Sequence, residues 1–470
     1  MIILEKKYRD WGITIAVGII LWFMPVPAGL KPEAGKMFAV FAATIIGFIL
    51  QPMPMGAMAI LSLAVTGFLG LAKLGELLAG FANSTVWLVV SAFMLSCGFS
   101  KTGLGRRVAY VLIRKFGKNT LNLGYAIAAS EFIFCPATPS SAARGGAILY
   151  PVVRSLSSAF KSEPGESAQR IGSYLMQVGF QSNCMSGALF LTAMVGNPLC
   201  ATFAQQAFGI TITWAAWATA ALVPGTLAMF AIPLVMYYIN PPEIKRTPEA
   251  KELAQAELEK MGPMTKKEKI MATIFVLSIL LWATSQYTNI NATLVALGGA
   301  AALLTTSAIA WQDVLEEKGA WDTMVWIGGL VTLAGLLSKF GLIAWVSKII
   351  AASIVGVPWM LALIAVIVFH FYSHYFFASL TAHTTALYPV LIAVAGSAGG
   401  SPMLIALSMG FFNNFCACLT HYGNGVGPIY FGAGYMSQGK WWKIGFVMSL
   451  VYMAVWLGIG FAWWKVIGLW

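Results

Sequence analysis

Apolar stretches that are long enough to cross a membrane recur along the whole chain, and short polar segments separate them. A membrane-spanning helix needs about 20 predominantly apolar residues. The short alternating segments of a membrane β-barrel are not part of this pattern. The sequence therefore predicts an all-α polytopic membrane protein with eleven transmembrane helices. The predicted spans lie near residues 11–28, 37–52, 55–75, 82–100, 170–207, 211–239, 269–285, 292–309, 320–340, 402–436 and 440–468.

Two further apolar stretches, 122–153 and 357–392, differ from these spans because polar residues interrupt each of them at its middle. Each stretch is long enough for two half-spans. Irregular backbone at membrane depth is tolerated only where protein buries it or a water-filled cavity lies beside it. We therefore predict two re-entrant hairpins, each of which enters and leaves the membrane on the same side.

Lysine and arginine residues fall mostly on one side of this predicted topology. Cytoplasmic loops of membrane proteins carry an excess of positive charge, so we expect a cytoplasmic N-terminus in a multi-pass protein of the cell membrane (inner or plasma membrane). The first hairpin then opens from the cytoplasm and the second from the outside. The same rule explains the net charge of +12. We therefore expect no nucleic-acid partner, although such a charge would suggest one in a soluble protein.

Composition supports the membrane assignment. Hydrophobic residues make up 59% of the chain and charged residues 10%, whereas soluble domains have about 25% charged residues. The six cysteines lie in apolar stretches and form no C-x-x-C pair, so we expect buried thiols rather than disulfides or metal sites. These cysteines are Cys97, Cys135, Cys184, Cys200, Cys416 and Cys418.

The two halves of the chain carry one pattern at a nearly constant spacing. Trp87 and Trp326 are 239 residues apart, and the Tyr-Pro pairs at Tyr150 and Tyr388 are 238 apart. Each copy has five spans and a hairpin, so an odd number of spans inverts the second copy in the membrane. Inverted repeats with interrupted helices are typical of secondary transporters. The predicted organisation is an extra N-terminal span (1–30), a first repeat (31–239), a cytoplasmic linker with a short amphipathic helix (240–269) and a second repeat (270–470).

The tip of the first hairpin combines hydroxyls, a charge and a glycine in Ser140, Ser141, Arg144 and Gly145. Helix N-termini at such a tip present free N–H groups and a positive dipole end, which suit an anion. The guanidinium of Arg144 has the geometry to bind a carboxylate, and an arginine at membrane depth is a functional candidate. Two other interpretations stay open, namely an ion pair with Glu131 and an extension of the Arg144 side chain to the cytoplasm.

The tip of the second hairpin offers a matching set of candidates. At a spacing of 239 residues, Ser379 corresponds to Ser140 and His383 to Arg144. We expect the hydroxyls and the imidazole of this tip to face the same substrate as the first tip. The candidate residues here are Ser379, Thr381, His383 and Thr384.

A second pair of interruptions lies downstream of the hairpins. The run Gly196-Asn197-Pro198 interrupts one span, and the glycine-rich segment "THYGNGVGP" (420–428) interrupts the other. Proline removes a helix donor and glycine loosens the backbone, so both spans should be discontinuous. The candidate binding residues in these segments are Asn197, Pro198, Thr420, His421 and Asn424.

Acidic residues are scarce deep inside the predicted membrane region, where we find Glu131, with Glu76 at a span end. A proton pump or a cation transporter would normally carry buried carboxylates along its pathway. The predicted site is instead cationic and rich in hydroxyls. This balance indicates an anionic substrate.

The stretches "PATPSSAARGGAILYP", "ALFLTAMVGNPL", "HYFFASLTAHTTALYP" and "LTHYGNGVGPIYFGAGYMSQGKWW" resemble the divalent anion/sodium symporter family of di- and tricarboxylate transporters. They are most similar to its citrate/succinate, tartrate/succinate and 2-oxoglutarate/malate exchangers. The resemblance covers both halves of the chain. It implies eleven spans, two hairpins, a scaffold domain that forms a homodimer in the lipid membrane, and a transport domain that moves by an elevator mechanism. It also implies small dicarboxylate anions as substrates.

Sodium-coupled members of that family carry Ser-Asn-Thr at both hairpin tips, whereas this chain has Ser140-Ser141-Ala142 and Ser379-Leu380-Thr381. The loss of side-chain oxygens puts sodium sites in doubt. We therefore hypothesise a sodium-independent exchanger of C4 and C5 dicarboxylates, such as 2-oxoglutarate, malate or succinate, in which Arg144 and His383 replace the sodium charge.

Two alternatives to the exchanger remain. One is a sodium-coupled di- or tricarboxylate symporter, as in the wider family. The other is an integral membrane enzyme with Ser140 as nucleophile and His383 as base, although no acidic residue is available to orient that base. For the exchanger we expect no catalytic residues, no cofactor and no bound metal; sodium is possible but not favoured.

Overall fold

The computed structural model describes residues 2–342 and 356–470, together with Trp345 and Ile349. This part of the chain is helical, and its only extended pairing is one isolated antiparallel bridge between Asn119 and Arg246. The prediction of an all-α protein is therefore confirmed. Met1 and residues 343–344, 346–348 and 350–355 lie outside the described part of the chain.

Helices of the first half begin at residues that the sequence supplies as caps. The side chains of Asn83, Asn119 and Thr213 each accept a hydrogen bond from a backbone N–H in the first turn of the helix that follows, as N-cap residues do. In this half, α-helices span Ile2–Phe23, Pro32–Leu50, Met55–Phe68, Leu74–Leu77, Ser84–Thr102, Leu104–Phe116, Thr120–Phe134, Tyr150–Ala159, Gly172–Ser186, Gly196–Phe208 and Trp214–Ile239, with 3-10 turns at Ala79–Ala82 and Cys135–Ala137 and a π-helix at Ala142–Leu149.

The second half begins with the linker helix Pro248–Met261, which the sequence predicted as a short amphipathic helix. The side chain of Thr265 then caps the next helix, Lys266–Ala283, in a capping box with Glu268. The remaining described α-helices are Ser285–Thr288, Ala292–Thr305, Trp311–Leu315, Lys318–Lys339, Trp359–Ser373, Leu380–Ser397, Pro402–Phe415, Gly427–Gly432, Gln438–Met453 and Phe461–Val466, with 3-10 turns at His374–Phe376 and Cys416–Leu419 and a π-helix at Ala454–Gly460.

Eight helical segments of the described chain are long and apolar enough to cross a membrane, and Met55–Phe68 and Ala292–Thr305 are shorter apolar helices. Two of the eight, Trp359–Phe376 and Leu380–Ser397, are the limbs of the second hairpin, which we predicted as half-spans. The total of eleven spans and their inverted arrangement stay predictions. The eight segments are Pro32–Leu50, Ser84–Thr102, Trp214–Ile239, Lys318–Lys339, Trp359–Phe376, Leu380–Ser397, Pro402–Leu419 and Gln438–Val466.

The first limbs of the two hairpins match, together with the turns that follow them. The first limb of the first hairpin, Thr120–Phe134, is followed by the turn Cys135–Ala137. Both elements recur in the second repeat as Trp359–Ser373 and His374–Phe376, with the same lengths and at the spacing that relates Trp87 to Trp326. The spacing found in the sequence is therefore a spacing of structural elements.

Around the hairpins, helices from both halves of the chain pack together. Gly196–Phe208 packs against the return limb Leu380–Ser397, and Ser84–Thr102 packs against both Ala292–Thr305 and Lys318–Lys339. Some of these contacts require glycine. A Cβ atom on Gly80 would overlap the Gly328 carbonyl oxygen, so only glycine allows the backbones to approach this closely.

Candidate functional site

The tip of the first hairpin is a short irregular segment between the turn Cys135–Ala137 and the π-helix Ala142–Leu149. The Ser140 side chain accepts a hydrogen bond from the Ala143 backbone N–H over 3.1 Å, and the Ser140 carbonyl accepts one from the Arg144 N–H over 3.0 Å. Ser140 and Ser141 are partly exposed. The predicted hydroxyls therefore lie at an accessible start of the return limb.

The tip of the second hairpin repeats these contacts. The Ser379 side chain accepts a hydrogen bond from the Ala382 N–H over 3.3 Å, and the Ser379 carbonyl accepts one from the His383 N–H over 3.0 Å. Ser379 and Thr381 are partly exposed, while His383 and Thr384 are buried. Ser379 and His383 thus occupy the same structural positions as Ser140 and Arg144.

Arg144 is completely buried, and it uses four of its five N–H donors. Its Nε donates to Glu131 Oε2 over 2.6 Å. Its Nη1 donates to the carbonyls of Thr138 (2.6 Å) and Ala193 (3.0 Å), and its Nη2 donates to Ser186 Oγ over 3.1 Å. Of the three interpretations of Arg144, the structure shows the ion pair with Glu131. In this conformation the guanidinium is not free to bind a carboxylate of a substrate.

Glu131 is also completely buried, and further polar groups satisfy it. Asn183 Nδ2 donates to Oε1 over 3.0 Å, and Ser186 Oγ donates to Oε2 over 3.1 Å. Breaking a buried ion pair by removing one partner is costly because the other charge stays unpaired. The pair therefore fixes the first hairpin tip to the neighbouring helix Gly172–Ser186.

His383, the counterpart of Arg144, packs against His370, the counterpart of Glu131. Their rings are stacked with centroids 4.2 Å apart. His383 Nε2 lies 3.0 Å from Ser373 Oγ, and His370 Nε2 lies 3.2 Å from Asn413 Oδ1. Thr384 Oγ1 also contacts Asn413 Oδ1 over 3.0 Å. The second hairpin thus places two imidazoles where the first places an ion pair.

The first broken span consists of Gly172–Ser186 and Gly196–Phe208, which are joined by irregular backbone. We predicted the interruption at Gly196-Asn197-Pro198, and this location is wrong because those residues form the first turn of the second segment. Proline is tolerated there, where its missing N–H would have no intrahelical partner. The interruption lies just upstream, at 187–195.

Asn197 joins the first interruption to the helix Pro402–Phe415, which lies just upstream of the second interruption. Its Nδ2 donates to the carbonyls of Gly187 and Phe190, both over 2.8 Å. Its Oδ1 accepts a hydrogen bond from Asn414 Nδ2 over 2.7 Å. Asn197, Pro198 and Asn414 are all buried. The structure thus places Asn197 between the two repeats, as a link rather than as an exposed ligand.

The second broken span is irregular between Cys416–Leu419 and Gly427–Gly432. Asn424 Oδ1 accepts hydrogen bonds from the N–H groups of Val426 (3.1 Å) and Gly427 (2.8 Å), so it caps the short helix. Thr420 is buried, and its hydroxyl has no hydrogen-bond partner among the described residues.

His421 has a different environment from the other three histidines. Its Nδ1 accepts a hydrogen bond from Trp442 Nε1 over 3.2 Å, and its ring stacks on Phe431 with centroids 4.3 Å apart. The stacked pair His370–His383, by contrast, lies inside the second hairpin. The structure therefore places His383 and Thr384 in the second hairpin, whereas His421 lies among aromatic side chains.

Sequence reasoning missed several polar residues that complete the site. Asn183 and Ser186 bind the Arg144–Glu131 pair, Asn413 contacts His370 and Thr384, and Asn414 bonds to Asn197. The sequence does contain a signal for these polar residues. The runs "QSNCMS" (181–186) and "FFNNFC" (411–416) place amides and hydroxyls inside otherwise apolar spans.

Gly145 is needed for close packing at the first tip. A Cβ atom there would lie 2.7 Å from Asn183 Nδ2 and 2.8 Å from a methyl group of Val426. The Gly145 carbonyl also accepts a hydrogen bond from Tyr430 over 3.2 Å. The predicted residue thus lies at a junction of the first hairpin with both broken spans.

Two polar cavities border the site residues. One, of about 480 Å³, includes Ser379 together with Lys6, Lys7 and Gln51. The other, of about 450 Å³, includes Pro198 along with hydroxyl and amide side chains of the helices around it. The first cavity has two lysines beside a hairpin tip, and the acidic Asp10 that also lines it accepts hydrogen bonds from Arg9. The lysines therefore outnumber the acid in this cavity, which suits an anion.

Comparisons with known proteins agree with this architecture. The family described as the sodium:sulfate symporter transmembrane region matches residues 5–470. Dicarboxylate transporter 1 of the chloroplast of Arabidopsis thaliana is 42% identical over 460 residues, which cover 97% of this chain and 83% of the relative. The L-tartrate/succinate antiporter of Escherichia coli (strain K12) is 37% identical over 485 residues, which cover 98% of this chain and 99% of the relative.

A solved transporter structure is also similar. The YdaH transporter of Alcanivorax borkumensis matches with a TM-score of 0.53 at 13% sequence identity, over 83% of this chain and 87% of that one. At this low identity the likeness concerns the fold alone.

Proposed function

The chain belongs to the sodium:sulfate symporter family, and on that premise we propose that it exchanges C4 and C5 dicarboxylates across a membrane without sodium. The family and the relatives are transporters, so the chain is a membrane transporter and not an enzyme, and the hypothesis of a Ser140–His383 enzyme is wrong. One relative is named a dicarboxylate transporter and another a tartrate/succinate antiporter. These names support the proposed substrate class and the proposed exchange.

The observation that carries sodium independence is the set of oxygens around Arg144. The guanidinium donates to the Glu131 carboxylate, the Ser186 hydroxyl and the carbonyls of Thr138 and Ala193. Carboxylate, hydroxyl and carbonyl oxygens are the ligands that hard cations prefer in proteins. A sodium ion at this tip would have to displace a cation that is covalently part of the chain. We infer that Arg144 takes the place of sodium, as a partner of Glu131 rather than as a free charge.

The proposed binding site for the dianion lies at the hairpin tips. Ser140 and Ser379 begin the return limbs, whose N-terminal N–H groups and dipoles favour negative charge. The nearby Lys6 and Lys7 line the cavity at Ser379 and would attract an anion toward it. The buried groups Arg144 and His383 would support the tips from behind.

The proposed transport cycle moves the hairpins and broken spans as one unit against a scaffold, in an elevator mechanism. The contact between Gly196–Phe208 and Leu380–Ser397, with the bond between Asn197 and Asn414, supports such a unit because each joins the two repeats. Inverted repeats, a homodimeric scaffold and a cytoplasmic N-terminus belong to this proposal. Two cavities at different parts of the site would then serve as the two access routes.

The test is uptake of labelled succinate, malate, 2-oxoglutarate and citrate into proteoliposomes that contain the purified protein. Exchange predicts uptake only when the lumen holds unlabelled dicarboxylate, at equal rates in sodium and potassium buffers. Uptake that needs a sodium gradient and no internal substrate would show the alternative, a sodium-coupled symporter. The absence of dicarboxylate uptake under every condition would reject both forms of the proposal.

A further inference from the structure

Three buried side chains with metal-binding atoms converge beside the second hairpin tip. His374 lies in the turn His374–Phe376, His383 lies in the first turn of the return limb, and Cys416 begins the turn Cys416–Leu419 of the second broken span. One ligand atom from each residue lies within 4.8 Å of the other two. Histidine nitrogen and cysteine sulfur together are typical ligands of zinc and of softer transition metals.

The hydrogen bonds of His374 leave one of its nitrogens available for a ligand. Its Nε2 lies 2.9 Å from the Gly423 carbonyl. Because a carbonyl can only accept a hydrogen bond, Nε2 carries the proton of the neutral ring, and Nδ1 keeps its lone pair. His374 Nδ1 is buried and has no hydrogen-bond partner in the described part of the chain. A buried acceptor without a partner is costly, and a bound cation would supply the missing partner.

His383 is oriented in the same way. Ser373 Oγ donates its hydrogen to the His370 carbonyl over 2.8 Å, so it can only accept from His383 Nε2, which is 3.0 Å away. The Nδ1 of the neutral His383 ring therefore also keeps its lone pair. This nitrogen faces Cys416 Sγ at 3.9 Å. Metal-binding histidines typically donate their other ring N–H to an oxygen in this manner.

One of the ligand distances is close to what a tetrahedral ion requires, and the ligand atoms as a group, which lie within 4.8 Å of one another, would have to move closer together. Zinc binds sulfur at about 2.3 Å and nitrogen at about 2.0–2.1 Å, so two such ligands lie about 3.5 Å apart. The distance of 3.9 Å between His383 Nδ1 and Cys416 Sγ exceeds this by a few tenths of an ångström. The cysteine would give up its contact with the Asn413 carbonyl, and its thiol proton would pass to solvent.

We propose that His374, His383 and Cys416 form a binding site for Zn²⁺ or a similar thiophilic metal ion, with water as a fourth ligand. The ion would join the second hairpin to the second broken span. If the hairpin tip must adjust during transport, which rests on the proposed function, bound Zn²⁺ would hold it and inhibit exchange. A metal ion bound next to the proposed substrate site would then act as an inhibitor of transport.

The direct test uses Co²⁺ as a spectroscopic probe on the purified full-length protein, with Zn²⁺ as competitor. Wild-type protein should show a thiolate-to-cobalt charge-transfer band that Zn²⁺ abolishes. The variant Cys416→Ser should lose the band. The matched control is Cys418→Ser, since Cys418 is equally buried two residues away but its sulfur faces the Gly445 carbonyl. This control should keep the band.

Absence of the band in wild-type protein, or an unchanged band in Cys416→Ser, would overturn the proposed site. If Cys416→Ser does not fold, His374→Gln provides a second variant, in which the cobalt spectrum should weaken and shift. Inhibition is tested separately by adding Zn²⁺ to proteoliposomes, and should be at least tenfold weaker in the cysteine variant. Cobalt binding without inhibition of exchange would support the metal site and reject the proposed inhibition. The cobalt spectrum does not depend on whether the protein transports dicarboxylates, so the two proposals can fail separately.

Discussion

Arg144 Nε lies 2.6 Å from Glu131 Oε2, and both side chains are fully excluded from solvent. At the equivalent positions of the second repeat, His383 stacks on His370 with ring centroids 4.2 Å apart. The same backbone frame thus holds an ion pair in one hairpin and two imidazoles in the other. This asymmetry bears on the proposed sodium independence, because a hairpin tip that already holds a guanidinium paired with a carboxylate has no need to bind a further cation there.

Arg144→Ala is expected to abolish dicarboxylate exchange and to destabilise the protein. The substitution leaves Glu131 buried without its positive partner, which typically costs about 3–5 kcal/mol. The measurements are thermal unfolding in detergent and counterflow in proteoliposomes.

The matched control for Arg144→Ala is the double variant Arg144→Met with Glu131→Leu, which removes both charges. It should recover most of the lost stability, because replacing a buried ion pair by apolar side chains is often neutral. It should remain inactive. Normal exchange in either variant would remove Arg144 from the mechanism.

The single substitution Arg144→Ala is also expected to make the thermal stability of the protein sensitive to sodium. In Arg144→Ala the oxygens of Glu131, Thr138, Ser186 and Ala193 lose their shared donor, and they form a polar space suited to a small cation. Sodium chloride should therefore raise the unfolding temperature of this variant more than choline chloride does. Wild-type protein should respond equally to both salts. Equal responses in the variant as well would contradict the idea that Arg144 occupies the place of sodium.

Much of the architecture could be predicted because it depends on patterns that persist along the sequence. The constant spacing between the two repeats predicted that Ser140 and Ser379 are equivalent, and the side chain of each accepts a hydrogen bond from a backbone N–H in the turn that follows it. The partner of Arg144 could not be chosen in advance. An arginine at a hairpin tip is compatible with a ligand, an internal acid or the cytoplasm, and only the tertiary packing decides.

The residues that were missed share a physical reason. Asn183 and Asn413 play similar roles beside the two hairpins, but the spacing between them in the sequence is shorter than the spacing between the hairpins. An alignment of the two halves that matches the hairpins therefore does not match Asn183 with Asn413 in the broken spans. The cluster of His374, His383 and Cys416 joins three separate segments. No regular spacing in the sequence relates these three residues, so the sequence alone predicts no metal site.

Asn197→Ala should weaken the connection between the two repeats. It removes the donor to the carbonyls of Gly187 and Phe190 and the acceptor for Asn414. Asn414 Nδ2 keeps its hydrogen bond to the Gly410 carbonyl, so the loss falls on the two carbonyls. Buried polar groups that lose their partners cost about 1–3 kcal/mol each, so we expect a loss of about 2–6 kcal/mol in unfolding free energy. Asn122→Ala, which changes an exposed amide, is the control and should be near neutral. A neutral Asn197→Ala would show that the link does not matter for stability.

The linker helix Pro248–Met261 is expected to detach when Arg107 is replaced. Arg107 Nε donates to Glu268 over 2.6 Å, and its Nη1 donates to the Gly262 carbonyl over 2.9 Å, so it ties the end of the linker helix to Leu104–Phe116. Burial alone would raise the pKa of Glu268, but hydrogen bonds from Arg107 and from the N–H of Thr265 lower it below its usual 4.5. Because the folded pKa is depressed, this stabilisation is fully present above pH 4.5 and is lost only as the pH falls through the lower folded value.

Limited proteolysis at pH 7 measures this detachment, because cleavage reports how often a segment opens. Arg107→Ala should be cleaved within 240–265 several-fold faster than wild-type protein. The control is Arg114→Ala, which lies on the same helix and donates to Gln255 of the linker at an exposed site. Exposed contacts contribute little to stability, so this variant should be cleaved at the wild-type rate. Equal rates in all three proteins would show that the buried Arg107–Glu268 pair does not hold the linker in place.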